Sequence, residues 1–248
     1  MEIKRFFIGA EKISNGTALI DNDEFFHITK VLRLKKGYEI ILCAGGGVDF
    51  HAVIESISND GVTARIIGQS ENLTELPFSL TMLQALPSGG GKLEVIIQKA
   101  VETGVGRFIP FASERAGEKK VNLPRLEKIA KEAAKQCGAT RLMEIRPPVS
   151  FREAVEIAAL SSFGVMAYEE ERANTLFDFK DAFILDGFSA AFIIGAEGGF
   201  TAEENECAKK RGIASITLGA RVLRCETAGV VVSALISGLY GDVRKNRA

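Results

Sequence analysis

"AFIIGAEGGFTAEE", residues Ala191–Glu204, changes character twice within one short stretch. Its apolar start reads as the end of a buried strand. Three glycines then flank a lone carboxylate, Glu197, and Thr201 with Glu204 forms a T-x-x-E capping box that opens a helix. A strand handing over to a helix through a tight loop is the unit of an α/β sheet, and ligands of such sheets sit beyond the carboxyl ends of the strands.

The same alternation continues on both sides. Upstream, "FSLTMLQAL" (Phe78–Leu86) reads as a buried strand. "GGGKLEVIIQKAVETGV" then places Leu93, Ile96, Ile97, Ala100 and Val101 at helical spacing before a stop at Gly104. A strand is predicted over Arg107–Ser113, helices near Arg125–Cys137 and Phe151–Ala159, and a strand at "SFGVMAY". Downstream come a helix over Thr201–Lys210, the strand "ASITLG" and a final helix near Thr227–Leu239. Strands alternating with helices predict a mainly parallel sheet covered on both faces.

The first third reads differently. Short strands at Tyr38–Leu42, Val48–Ile57 and Val62–Ile67 are separated by the turn sequences "AGGG" and "NDG", and one helix is predicted over "DEFFHITKVLRL" with Gly37 as its stop. That pattern predicts a small β-barrel of about 70 residues. The polar stretch ending at Pro77 reads as a linker, so the domains are expected to be 1–72 and 73–248.

Composition excludes several classes. At 46% hydrophobic and 25% charged residues the chain lies near the average for soluble proteins, and no apolar run approaches the roughly 20 residues that span a bilayer. The N-terminus is too charged for a secretory signal, so a cytoplasmic location is expected, with no membrane partner. Cys43, Cys137, Cys207 and Cys225 lie far apart with only His27 and His51 to join them, so neither a metal site nor a disulfide framework is expected. A formal net charge of −1 supplies no long-range field toward nucleic acid.

A second unusual loop, "LGARVLRCETAG", follows "ASIT", with Arg221, Arg224 and Glu226 after a glycine turn. Each loop alone is compatible with a plain strand-to-helix connection. Together they would emerge on one sheet edge and give a glycine-lined slot beside guanidinium groups, which suits a nucleoside-like ligand with an anionic substrate. The dinucleotide fingerprint G-x-G-x-x-G does not fit "GAEGGF", and "SGGGK" (Ser88–Lys92) lacks the Ser or Thr of a phosphate-binding loop, although an anion at that helix start beside Lys92 stays open.

"QALPSGGGKLEVIIQKAVETGVGRFIPFASERA", "EAAKQCGATRLMEIRPP", "IGAEGGFTAEE" and "LGARVLRCETA", in that order and spacing, resemble the SPOUT class of RNA methyltransferases, and within it the bacterial 16S rRNA (uracil-N3)-methyltransferases. "RFF" and "HITKVLRLKKG" are similar to that family's PUA-like RNA-binding barrel. The chain departs from the family in having Ala196 where a proline is usual and Cys225 where a threonine is common. It is also short after "ERA", without the tryptophan often found there.

The resemblance implies an α/β fold with a C-terminal trefoil knot, S-adenosyl-L-methionine as cofactor, a homodimer, and 16S rRNA of the small ribosomal subunit as partner. On that basis Ile194, Leu218, Gly219, Leu223 and Arg224 are expected to hold the cofactor, with Gly195, Glu197, Gly198 and Gly199 in the glycine loop and Ala167 and Tyr168 as a further wall. Uracil N3 must lose a proton before it can accept a methyl group, and a fixed guanidinium lowers the cost of the anion. Arg224 is expected in that role, with Arg221 behind it; Glu226, water and hydroxide remain open as the base. RNA contacts are expected from Arg5, His27, Lys30, Arg33, Lys35 and Lys36 on the barrel and from Arg115, Lys119 and Lys120. Residues 1–76 carry 8 basic and 11 acidic side chains, so only the barrel's helix is locally basic. The plainer alternatives are a solvated charged helix, a packed histidine, and a non-catalytic RNA-binding or ribosome-assembly protein. A methyltransferase of another RNA position is a further alternative.

Overall fold

Alternating burial along short strands builds the first part of the chain. In the computed structural model, which describes residues 3–88, 91–116, 120–183 and 187–240, the chain divides into two units. One comprises Met1–Glu75 with Ala134–Leu142, the other Leu76–Ala133 with Met143–Ala248.

The first unit is a six-stranded sheet of β1 (Lys4–Phe7), β2 (Ile13–Ser14), β3 (Thr17–Ile20), β4 (Glu39–Cys43), β5 (Val48–Ser58) and β6 (Gly61–Glu71), in the order β1-β4-β5-β6-β3-β2. Its ladders are antiparallel except β1 with β4. Phe6, Ile20, Ile40, Leu42, Ile54 and Val62 come from five different strands yet share one buried cluster, so the sheet wraps around a common core. The "NDG" turn joins β5 to β6, and Gly61 supplies a φ of +146° where a side chain would meet the Ile20 carbonyl.

The helix predicted over 23–34 is shorter and of another kind. Helix α1 (Asn22–Phe26) widens into a π turn over His27–Val31, and the chain leaves it through Arg33 at φ +53° rather than at Gly37. Phe25, Ile28 and Leu32, at i, i+3 and i+7, and Leu34 beyond the turn all pack against the same core. Buried charge in this unit is paired: the Arg5 guanidinium donates twice to Asp49, which also accepts from Asn72 at 2.9 Å, and the Lys135 ammonium lies 3.0 Å from buried Glu24.

The second unit alternates strand and helix. It runs β7 (Ser79–Ala85), α2 (Lys92–Glu102), β8 (Arg107–Ala112), α3 (Leu123–Cys137, whose last turn from Ala134 counts with the first unit), β9 (Glu144–Ile145), β10 (Val149–Ser150), α4 (Phe151–Ala159), β11 (Phe163–Ala167), β12 (Ser189–Ile194), α5 (Ala202–Lys210), β13 (Ala214–Ile216) and α6 (Cys225–Tyr240). Its strands pair in parallel in the order β10-β8-β7-β12-β11-β13, with β9 beside β8. Strands buried on both faces read as continuous apolar runs, which is why "AFII" and "LTML" carry no alternation.

Helices α4 and α5 cover the face that carries Leu83, Ala85, Ala191 and Ile193. Met82 points the opposite way, and there Gly229 of α6 comes so near that a Cβ would stand 2.5 Å from the Met82 methyl carbon. The chain steps from β7 to one side for β8 and β10 and to the other for β11 and β13. The carboxyl ends of β11, β12 and β13 are thereby left side by side.

Candidate functional site

The glycine loop after β12 is held by its last residue. Phe200 is buried and stacks parallel to Phe111 with ring centroids 6.4 Å apart, and Thr201 caps α5 with both halves of the expected capping box formed. Burying such a ring contributes about 2–3 kcal/mol, enough to fix where the loop ends. Between Ile194 and Phe200 the backbone is therefore tethered at both ends and borders a cavity of about 480 Å³.

Three segments form the cavity wall. The end of β11 supplies Ala167, Tyr168, Glu169 and Arg172; the glycine loop supplies Ile194, Gly195, Ala196 and Gly199; the run from Thr217 to Leu223 closes the third side, with Cys225 and Ala228 of α6 behind it. Gly199 has φ +63°, and a Cβ there would lie 1.7 Å from the Glu169 carboxylate. The positive φ favours glycine there, and the Glu169 carboxylate lies over the loop. Gly219, at φ +103°, turns the third segment.

Among the residues expected to bind a cofactor, Ala167, Tyr168, Ile194, Gly195, Gly199, Leu218, Gly219 and Leu223 line this cavity, whereas Glu197, Gly198 and Arg224 do not. The Gly198 carbonyl accepts from the Arg115 guanidinium at 3.0 Å, so Arg115 grips the loop from behind. Glu197 accepts from the Ser88 amide at 2.9 Å and from the Lys92 ammonium at 2.6 Å. Burial opposes its charge, but Lys92 and the Ser88 amide outweigh it and hold the carboxyl down at about 2. Lys92, considered above as an anion binder at the start of α2, already has an anion in Glu197.

The second loop is charged differently. Arg221 on the cavity wall and Arg224 beside it are exposed, and neither side chain has an ion pair or hydrogen-bond partner among the described residues. The Arg224 carbonyl accepts from Thr227 and Ala228, which sets its backbone at the start of α6. Glu226 lies below the usual carboxylate range because its own backbone amide and the Cys225 thiol donate to it. Burial, and then Glu226, push that thiol up to about 12, and burial with the Glu170 hydrogen bond raises the Tyr168 hydroxyl likewise to about 12.

Sequence reasoning missed Glu169 and Arg172, which lie in "YEEER", a charge run of the sort that usually faces solvent. Their one signal is position, directly after a buried strand and level with the two glycine loops. Ala196, Thr217, Ala220, Val222, Cys225 and Ala228 were also not singled out as wall residues. Chemically, aliphatic walls suit a flat heterocycle, and Glu169 offers a countercharge to a cationic centre.

On the first unit, Arg5 is held by Asp49, and His27 packs edge-on to Phe6 with its Nδ1 3.0 Å from the Lys135 ammonium. Lys30, Arg33, Lys35 and Lys36 are exposed without partners among the described residues, as is Lys120. Lys119 lies outside the described residues. No group of three or more His, Cys, Asp or Glu among the described residues is placed to hold a metal, and no described helix is long and apolar enough to cross a membrane.

A family profile described as an RNA methyltransferase domain matches residues 74–237, and one described as an RNA methyltransferase PUA domain matches residues 20–67. The chain is 33% identical over 247 residues to the Ribosomal RNA small subunit methyltransferase E of Bacillus subtilis (strain 168), spanning 95% of this chain and 96% of that relative. Identity to the protein of the same description from Synechocystis sp. is 30%, over 95% of this chain and 77% of the relative. The crystal structure of a Ribosomal RNA small subunit methyltransferase E from Neisseria gonorrhoeae bound to S-adenosyl methionine matches with a TM-score of 0.85 at 27% identity, over 98% of this chain and 100% of that one.

Proposed function

The chain belongs to the RNA methyltransferase family that carries a PUA domain, and from that premise we propose that it methylates N3 of a specific uridine in the 16S rRNA of the small ribosomal subunit. It is an S-adenosylmethionine-dependent rRNA methyltransferase. The observation that carries the donor assignment is the cavity at the ends of β11, β12 and β13, whose wall turns through Gly199 at positive φ and brings the Glu169 carboxylate to one side.

The residues present fit the donor. Leu218, Leu223, Ile194 and Ala228 can flank adenine, the backbone at Gly195 and Gly219 allows close approach, and Glu169 can face a positive sulfonium. Bound there, S-adenosylmethionine supplies a methyl group already activated for in-line displacement. The chain's own part is orientation and charge: Arg224, with Arg221 on the wall beside it, stabilises the oxygens of a deprotonated uracil. Glu226, held ionised, is a weak proton acceptor and serves better as countercharge, so the proton goes to solvent. Arg115 serves the loop first and RNA second.

In the same reading residues 1–72 bind RNA and 73–248 bind donor and target base, the C-terminal segment is a trefoil knot, and the working unit is a cytoplasmic homodimer. Support for the knot comes from the chain leaving edge strand β13 and returning to pack α6 on β12 and α2. Support for the dimer comes from α6, on which Val230, Val231, Leu235 and Leu239 stay only half-buried in one copy.

The decisive experiment supplies labelled donor and small ribosomal subunits lacking the modification, followed by nucleoside analysis. Label in 3-methyluridine of 16S rRNA is expected. Label confined to tRNA, or found on a ribose, would overturn the substrate assignment.

A further inference from the structure

A largely exposed phenylalanine stands out on the first unit. Phe26 closes α1 and is 59% exposed, and Val31, one π turn later, is also 59% exposed. Neighbouring Phe25, Ile28, Leu32 and Leu34 all face the core, so the segment contains enough apolar side chains for packing without Phe26. On this helical turn residues four and five apart stand next to one another, which puts Lys30 and Val31 beside the Phe26 ring.

Apart from Asp23, three residues before the ring on α1, and Glu24, which is buried, the charged side chains close to it in sequence are cations. From Phe25 to Tyr38 the sequence has no acidic residue, while Lys30, Arg33, Lys35 and Lys36 fall within it, half of the eight basic residues of a net acidic barrel. All four are exposed, and none has an ion pair or hydrogen-bond partner among the described residues. Elsewhere in the unit cations are taken: Arg5 by Asp49, Lys12 by Asp21, Arg65 by Glu55, Lys135 by Glu24. An exposed aromatic face followed within ten residues by four unpaired cations matches what a single-stranded nucleic acid offers, an unstacked base on a charged backbone. A duplex would present its phosphates to the cations but no free base face to the ring.

We propose that Phe26 is a base-stacking platform for an unpaired nucleotide of the rRNA substrate, with Lys30 and Lys35 holding the phosphates on either side. The proposal rests on the rRNA methyltransferase reading and adds the residue that tells single strand from duplex. Phosphate contacts position the strand; the ring selects a nucleotide that is out of its stack.

The chain has no tryptophan, so Phe26→Trp introduces a single reporter at the site in question. Titration of that variant with a mixed-sequence 12-nucleotide single-stranded RNA is expected to quench its fluorescence, whereas the matched 12-base-pair duplex leaves it unchanged. Phe26→Ala is expected to weaken single-strand binding about tenfold with no change in salt dependence, because a stacked base contributes about 1–3 kcal/mol. Lys30→Gln with Lys35→Gln is expected to lower the slope of log affinity against log salt by about 1.4, two phosphates at about 0.7 each. Equal affinity of Phe26→Ala and the unaltered chain, or equal quenching by duplex, would overturn the proposal. Donor affinity, measured by calorimetry on the same variants, should not move. Loss of donor binding by the unaltered chain would sink the methyltransferase reading instead and leave the quenching result standing.

Discussion

The two loops that flank the cavity have similar sequences, each a glycine turn with charge, and opposite electrostatics. In "GAEGGF" the charge is satisfied within the fold: Glu197 is bound by Ser88 and Lys92, and the backbone at Gly198 by Arg115. In "LGARVLR" the guanidiniums of Arg221 and Arg224 are exposed with no partner among the described residues. Residue type does not distinguish a charge that builds the site from one that waits for a ligand, but pairing does. The barrel repeats the lesson with Arg5 on Asp49 against Lys30 and Arg33 in solvent. The first kind of charge should be read in stability and the second in turnover or RNA affinity.

The largest expected effect tests the unpaired side. Arg224→Ala should lower turnover about 100- to 1000-fold, the usual cost of removing a donor aimed at developing negative charge, while donor affinity stays within a few-fold and the melting temperature barely moves. Parallel loss of donor affinity and turnover in calorimetry and single-turnover assays would mean that Arg224 shapes the cavity, and the contrast between the loops would fail.

The paired side predicts the reverse. Glu197→Gln should lower stability by about 1 kcal/mol, or about 2–4 °C in melting temperature, a modest figure because the Glu197 and Lys92 side chains are each 32% exposed. Its sign with pH follows from linkage. The carboxyl sits at about 2 in the fold against an ordinary 4.5, so its contribution is present above 4.5 and is lost as pH falls toward 2. Melting curves of the two proteins should therefore differ at pH 7 and converge between about pH 5 and pH 2. A gap undiminished at pH 2.5 would show that shape, not charge, explains the loss.

Much of this frame was legible in the sequence. Apolar runs at Phe78–Leu86 and Ala191–Ile194, with helical spacing between them, specified a parallel sheet because strands buried on both faces and amphipathic helices leave different periods. Short elements left no such mark. Strands β1, β2 and β3 are two to four residues long and draw their order from pairing with distant β4 and β6. The π turn at His27–Val31 left no mark of its own, because Phe25, Ile28 and Leu32 keep ordinary helical spacing. At the site, the glycine loops and their order located the cavity, whereas the partners of Glu197 lie 105 and 109 residues away in sequence and are fixed by tertiary structure. "YEEER" hid Glu169 and Arg172 because an acidic run after a strand has the same composition whether it faces solvent or a ligand.

The smallest expected effect lies where the two loops meet α6. Cys225 is buried at the first position of that helix, and its thiol donates to Glu226 at 3.2 Å. Threonine has a hydroxyl that can make the same donation and suits a helix start. Cys225→Thr should accordingly change stability by less than about 0.5 kcal/mol, within the usual range for a substitution that keeps burial and partner, and leave donor affinity and turnover unchanged. Scanning calorimetry would detect more. A drop of several degrees would mean that α6 is held by the fit of the sulfur rather than by its hydrogen bond. The backbone carrying Arg224, whose carbonyl begins that helix, would then depend on packing as closely as the Glu197 loop depends on Lys92.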